Sequence, residues 1–169
     1  MLRRDPLAVP APLIKRVYAY AAYRLGDGPD AEDITSETFE RALRYRKSYD
    51  PKKGEPVSWL LGIAKRCIDG SWSKTEYATE DVDSIDTTNL EEETIRRLTV
   101  SHAVAALDER DRELIALRYG ADLTARQIAE LLDARTNAIE VALHRALGRL
   151  RGILGADESE PVRKRGASR

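Results

Sequence analysis

Three groups of side chains in this sequence have the types and spacing to do chemistry, and none of them is arranged to break a bond. Asp30, Asp33 and Glu37, followed by Arg41, recur at three- and four-residue steps. On a helix they share one face, an acidic strip that suits a basic partner surface. Tyr49, Lys52, Lys53, Trp59, Lys65, Arg66, Ser71, Trp72 and Lys74 mix cations with planar rings. That mixture suits single-stranded nucleic acid, whose bases stack on aromatic faces at about 1–3 kcal/mol each while Lys and Arg meet phosphates. Arg135, Thr136, Asn137, Glu140, Val141, His144 and Arg145 stand on one amphipathic stretch, with Arg126 and Arg149 flanking them. Side chains of these kinds read base edges in a major groove and hold phosphates beside it.

Catalytic chemistry lacks its usual reagents. The histidines are His102 and His144, the cysteine is Cys67 alone, and no glycine-rich phosphate loop is present. Asp30, Asp33 and Glu37 could gather a magnesium ion, yet nothing near them in sequence would position a substrate. We therefore expect no enzyme, no cofactor, no metal and no small-molecule substrate. A single cysteine excludes an intramolecular disulfide and fits the reducing cytoplasm. The opening residues MLRRDPLAVPAPLIKR hold no apolar run of signal-peptide length, and nowhere do about eighteen apolar residues stand together. A cytoplasmic chain is expected.

The elements that must position these groups are helices. Aromatic residues make up 6% of the chain and β-branched runs are few, whereas apolar residues recur at helical steps throughout. Ile14, Val17, Tyr18, Ala21 and Leu25 form a stripe ended by Gly26-Asp27-Gly28. Pro29 suits the first turn of the next helix, which carries Ala31, Thr35, Phe39 and Ala42 inward and the acidic strip outward. Tyr49 to Pro56 has the Pro/Gly punctuation of a loop. Ser58 is the expected N-cap of a third helix running from Trp59 to about Trp72. A further helical unit starts near Thr94 and reaches Leu107, Asp108 caps the next helix, and a turn is expected at Tyr119-Gly120-Ala121-Asp122. Thr124 and Gln127 have the spacing of a capping box. The helix they open is joined by a short turn at Asp133-Ala134-Arg135 to one from Thr136 to about Leu154, a helix-turn-helix. Ile139, Leu143, Ala146, Leu147 and Leu150 face inward on it, and the tail 155–169 is expected to be disordered.

The formal net charge of −1 conceals a mosaic. From Thr75 to Ile95 stand Glu76, Glu80, Asp81, Asp83, Asp86, Glu91, Glu92 and Glu93, with no basic residue among them. Without that stretch the chain is net positive, and Arg41, Arg44, Arg46, Lys47, Lys52 and Lys53 crowd one short segment. The expected architecture is all-α: a domain over 10–74, an acidic linker over 75–95, a helix-turn-helix domain over 96–154 and a tail.

PDAEDITSETFERAL resembles region 2.2 of bacterial RNA polymerase sigma factors, and VSWLLGIAKRCID resembles their regions 2.3 and 2.4. LDERDRELIALRYGADLTARQIAELLDARTNAIEVALHRALGRLR is similar to region 4. The order of these motifs, and little else beside them, resembles the small extracytoplasmic-function (ECF) subfamily. The resemblance implies a promoter-recognition subunit, monomeric when free. Its acidic strip (Asp30, Asp33, Glu37, Arg41) would dock on the β′ clamp helices of the polymerase core, and region 4 would meet the β flap. The aromatic–basic segment would capture an unstacked base of the −10 element and hold the bubble open, while the last helix would read the −35 element. The sequence departs from the family's commoner pattern at Glu140, Val141 and Ala142, where basic or small polar residues usually stand. Glu can accept from cytosine N4 and Val can touch a thymine methyl, so base readout there would be of those kinds.

The resemblance gives the acidic linker a role as an RNA mimic threading the polymerase's basic channel; composition alone equally suits a tether between two domains. Many members are silenced by an anti-sigma factor. Two other functions compete. A conventional repressor or activator would bind duplex DNA by itself and would need a dimer interface or sensor domain; a nuclease would need the reagents found wanting above.

Overall fold

The computed structural model describes residues 5–72 and 92–158, with the side chains of 71, 72, 93, 94, 157 and 158 left out of account. Every regular element among the described residues is helical. The first helices are α1 (Pro10–Leu25) and α2 (Pro29–Tyr45), then a 3₁₀ turn over Arg46–Ser48 and α3 (Pro56–Trp72). After the described gap come α4 (Glu92–Ala105), α5 (Glu109–Ile115), a π-helical turn over Ala116–Gly120, α6 (Ala125–Leu131) and α7 (Thr136–Glu158).

Local chemistry explains most of these boundaries. Prolines open α1 and α2, where a missing N–H costs nothing. Gly26 at φ 91° and Gly28 at φ 141° turn the chain between them, a backbone that L side chains rarely adopt. Asp108 caps α5 by accepting from the Asp111 N–H. Thr124 and Gln127 form the full capping box at the start of α6.

Three expectations are corrected. Helix α3 begins at Pro56 rather than after Ser58, because proline fits the first turn and the Glu55 carbonyl already accepts from the Trp59 N–H at 3.2 Å. The turn expected from Tyr119 is helical to Gly120: the Ala121 N–H reaches back five residues to the Ala116 carbonyl at 2.9 Å. Helix α7 runs on past Leu154 to Glu158, so 155–158 are helical; 159–169 lie outside the described residues.

Helices α1, α2 and α3 form one packed unit and α4 to α7 a second, with α4, α5 and α7 sharing a cluster of Val104, Leu107, Ile115, Ala146 and Leu150. Periodicity does not reveal that the two units are buried against each other. Helix α1 lies along α5 and the π turn, and Val17, Tyr20 and Ala21 belong to the same core as Leu114, Leu117 and Leu123. Leu131 of α6 rests on α3, its Cδ1 3.7 Å from where a Cβ on Gly62 would stand. The stripe read on α1 is accordingly rotated. Ile14 is 43% exposed, and Tyr20 and Arg24, absent from the expected stripe, are buried.

Candidate nucleic-acid and polymerase interface

On α2 the inward side is occupied by Ala31, Ile34, Thr35, Thr38 and Ala42. This fixes the opposite side outward: Asp30, Asp33 and Arg41 are exposed and Glu37 is half-buried. Arg41 forms an i,i+4 pair with Glu37, the modest helix-surface interaction that this spacing favours. Asp30 and Asp33 thus present uncommitted carboxylates at one edge of the strip.

The aromatic–basic segment divides. Lys52, Lys53 and Arg66 are exposed. Tyr49 is not available as a stacking platform: it is 8% exposed, its hydroxyl donates to the Gly54 carbonyl at 3.0 Å, and its ring lies 5.5 Å from that of Trp59 at 56°. Burial raises its phenol pKa. Tyr49 closes the 49–56 loop and steadies Trp59, which is half-buried against the core. Lys65 donates to Asp69 at 2.8 Å and lies 3.7 Å from Glu113, and the Asp69 hydrogen bond raises its pKa. In this conformation it serves carboxylates, not phosphate. The side chains of Ser71 and Trp72, and all of Lys74, fall outside the described residues.

On α7 the inward residues Ile139, Ala146 and Leu150 are buried, with Leu143 and Leu147 half-buried beside them. Arg135, Asn137, Glu140, His144 and Arg145 are exposed, Val141 is 50% exposed and Thr136 is half-buried at the helix start. Asp133 holds φ 51° in the turn before them, a left-handed conformation that Asp tolerates better than most residues. Arg126 pairs with Glu130 at 3.2 Å. Arg149, expected on a phosphate, grips buried Asp111 through two nitrogens, Nη2 at 2.8 Å, and so ties α7 to α5. That carboxylate raises its pKa.

Sequence reasoning missed a charged cluster. Arg24 is 4% exposed; its Nη1 lies 3.2 Å from Glu113 and its Nη2 3.5 Å from Glu109. The Tyr20 hydroxyl donates to Glu113 at 3.2 Å, and burial together with the nearby carboxylate raises its pKa strongly. The available signal was spacing, since Val17, Tyr20 and Arg24 follow at three- and four-residue steps along one face. Among the described residues no group of acids, histidines and cysteine is placed to hold a metal ion, and no helix is long and apolar enough to cross a membrane.

Comparison with known proteins bears on what these faces are for. Sigma-70 region 2 matches residues 12–75 and Sigma-70 region 4 matches residues 97–150. The ECF RNA polymerase sigma factor SigK of Mycobacterium sp. (strain KMS) is 30% identical over 153 residues, covering 83% of this chain and 78% of SigK. The chain belongs to the ECF sigma factors. The ECF RNA polymerase sigma factor BldN of Streptomyces coelicolor is 27% identical, and this sigma factor spans 57% of its length. Two solved structures share the fold. The sigma factor RpoE in complex with the anti-sigma factor NepR from Bartonella quintana aligns with a TM-score of 0.67 at 18% identity, over 86% of this chain and 93% of that one. CnrH in complex with the cytosolic domain of CnrY aligns with a TM-score of 0.60 at 19% identity, over 87% and 82%. In the sigma factor's frame, α1 to α3 are its region 2 and α4 to α7 the bulk of its region 4.

Proposed function

We propose that this sigma factor binds RNA polymerase core through the outer face of α2 and directs the enzyme to promoters, reading the −35 element with α7 and the −10 element with the loop and outer face around α3. What carries the proposal is the pairing of both sigma regions, in order, with a solvent-facing charged helix in each. Asp30, Asp33, Glu37 and Arg41 form the core-binding face. Lys52, Lys53, Arg66 and Lys74 hold phosphates of the opened strand, with Trp59, Trp72 and Ser71 beside the bases and Tyr49 keeping the loop in shape. Arg135, Thr136, Asn137, Glu140, Val141, His144 and Arg145 face the −35 major groove, and Arg126 its flanking phosphate. The polymerase performs the chemistry, so the factor acts in the cytoplasm where its enzyme works and needs no active site of its own.

An anti-sigma partner, which the two solved neighbours have, belongs to the same proposal. A groove of about 820 Å³ between α1 and α4 is lined by Tyr18, Tyr23, Val100 and Val104, with Lys15 and Arg96 among its cations. It suits an amphipathic helix with acidic edges.

Transcription in vitro with core enzyme and a library of genomic promoters tests the function. Start-site-specific RNA is expected only when the factor is added; RNA with no such dependence refutes it. Asp33→Arg together with Glu37→Arg is expected to abolish capture of core in a pull-down with an unchanged circular dichroism spectrum. Retained capture would remove α2 from the proposal. An anti-sigma partner is expected to compete with core in the same pull-down, and simultaneous binding of both counts against it.

A further inference from the structure

Helix α7 carries a stripe that the fold leaves open. Asn137, Glu140, Val141 and His144 follow at three- and four-residue steps and all are exposed, while Ile139, Ala146 and Leu150 hold the opposite side in the core. The stripe contains one carboxylate, and nothing in the protein serves it. Exposed acids on other helices meet an arginine one turn away, Glu40 with Arg44 at 3.7 Å and Glu130 with Arg126 at 3.2 Å. One turn on from Glu140 stands His144 and one turn back Thr136, and among the described residues no side chain bonds to Glu140. Arg145, five residues on, is turned about 140° away along the helix.

A carboxylate in that place is a liability on duplex DNA, and for that reason it is selective. The major groove is about 12 Å wide. An acid inside it stands within about a Debye length, about 8 Å at physiological salt, of the phosphates on both walls. That repulsion is offset only where a base edge offers a donor. Guanine presents N7 and O6 and thymine presents O4, all acceptors that repel a carboxylate. Adenine sets its N6 donor beside the N7 acceptor, whereas cytosine presents its N4 donor with no acceptor next to it. Val141, next in sequence and exposed, has no polar group to offer, and the base feature that matches it is the thymine methyl.

We propose that Glu140 is the discriminating residue of α7. It admits −35 sequences that place a cytosine against it and turns others away by leaving its charge unpaired among phosphates, with Val141 taking the methyl of an adjacent thymine. This rests on the function proposed above and adds to it a base identity and a sign. Arg135 and Arg145, both exposed, supply an attraction to phosphate that is indifferent to sequence. Discrimination on such a surface comes from a group that lowers affinity at the wrong sites as well as raising it at the right one, and Glu140 is the acid on the stripe.

The test uses the full chain bound to core polymerase and a pool of duplex promoters randomised across the −35 element, from which bound DNA is recovered and sequenced. Wild type is expected to select cytosine at one position, to exclude guanine there, and to select thymine beside it. Glu140→Gln, an exposed and isosteric change, is expected to cut that cytosine preference about tenfold and to leave the other positions as they were. Capture of DNA with no −35 element should rise about twofold in the same variant, because a repelling charge has gone. Glu140→Ala gives the same loss of preference should the glutamine variant lose its circular dichroism signal. Replacing the adjacent thymine by deoxyuridine, which lacks only the methyl, is expected to weaken wild type about fourfold and to leave Val141→Ala unchanged. A cytosine preference that survives both Glu140 variants, or a patterned element with guanine or thymine at every position, overturns the proposal while α7 stays the reader. Recovered DNA that is random at every −35 position in wild type overturns the function reading, and this inference with it.

Discussion

At the scale of single residues, the decisive fact is how many charged groups are committed to one another instead of to solvent. Arg149 would pass in sequence for a phosphate contact at the end of the reading helix. Its guanidinium instead forms a two-nitrogen grip on Asp111, which is 4% exposed and also sits in the first turn of α5. Removing the arginine leaves a buried carboxylate without its cation, a change that destabilises more than the pair itself stabilises. Arg149→Ala is expected to lower the urea midpoint of the chain, with Arg149→Lys recovering only part because an ammonium cannot reproduce the planar fork. An unchanged midpoint in the alanine variant would return Arg149 to the DNA face. Tyr49 teaches the converse: an aromatic ring beside lysines is read as a stacking platform until its hydroxyl is found on the Gly54 carbonyl. Neither reassignment could be made from residue type and spacing, because each depends on a partner 5 or 38 residues away.

At the scale of elements, sequence and structure agree where the determining interaction is local. The Thr124–Gln127 box was legible because both partners lie within one turn, and so was the Asp108 cap. Thr124→Ala is expected to destabilise by about 1 kcal/mol, measured by urea unfolding, whereas Thr124→Ser should stay near wild type; equal losses in the two would mean the cap hydroxyl is irrelevant. The inward and outward sides of α2 and α7 were legible for the same reason, since a 3.6-residue period fixes a face without reference to anything else. Agreement fails where tertiary contact chooses among locally acceptable endings. Gly120 reads as a turn residue, yet the helix carries through it with a five-residue hydrogen bond while α1 packs against the spot. Ile14 reads as part of an apolar stripe, yet α1 is rotated so that Tyr20 and Arg24 are buried in its place.

At the scale of the whole molecule, period and composition predict two helical units and leave their mutual arrangement open, because an apolar face declares that it needs covering but not by what. The common core of Val17, Tyr20, Leu114 and Leu117 is therefore the part of the fold least visible in the sequence. It also gives the molecule an alkaline limit. Burial raises the Tyr20 phenol, with Glu113 adding to it, and the Asp69 hydrogen bond raises Lys65, with Glu113 again adding to it. Both groups are protonated in the folded chain, and both have folded pKa values above the ordinary ones of about 10 and 10.4. Their contribution is therefore whole below about pH 10 and is lost as pH climbs through the folded values. Arg24, Glu109 and Asp69 face the same cluster. The urea midpoint is expected to fall on titration from about pH 10 toward about pH 11, and to fall at a higher pH in Tyr20→Phe, which lacks the ionising hydroxyl. Coincident titrations in the two chains would discard Tyr20 as a determinant.

Helix α7 has a mechanical corollary. One unbroken rod of 23 residues bears the side chains proposed to read bases on its first turns, while Leu150, Ile153 and Leu154 on its later turns are seated in the α4 cluster. Helix α4 is also where the acidic strap enters region 4. Tension or torsion applied at α4 would accordingly be delivered to the butt of a lever whose tip carries Thr136 and Asn137, with Asp133 as its fulcrum.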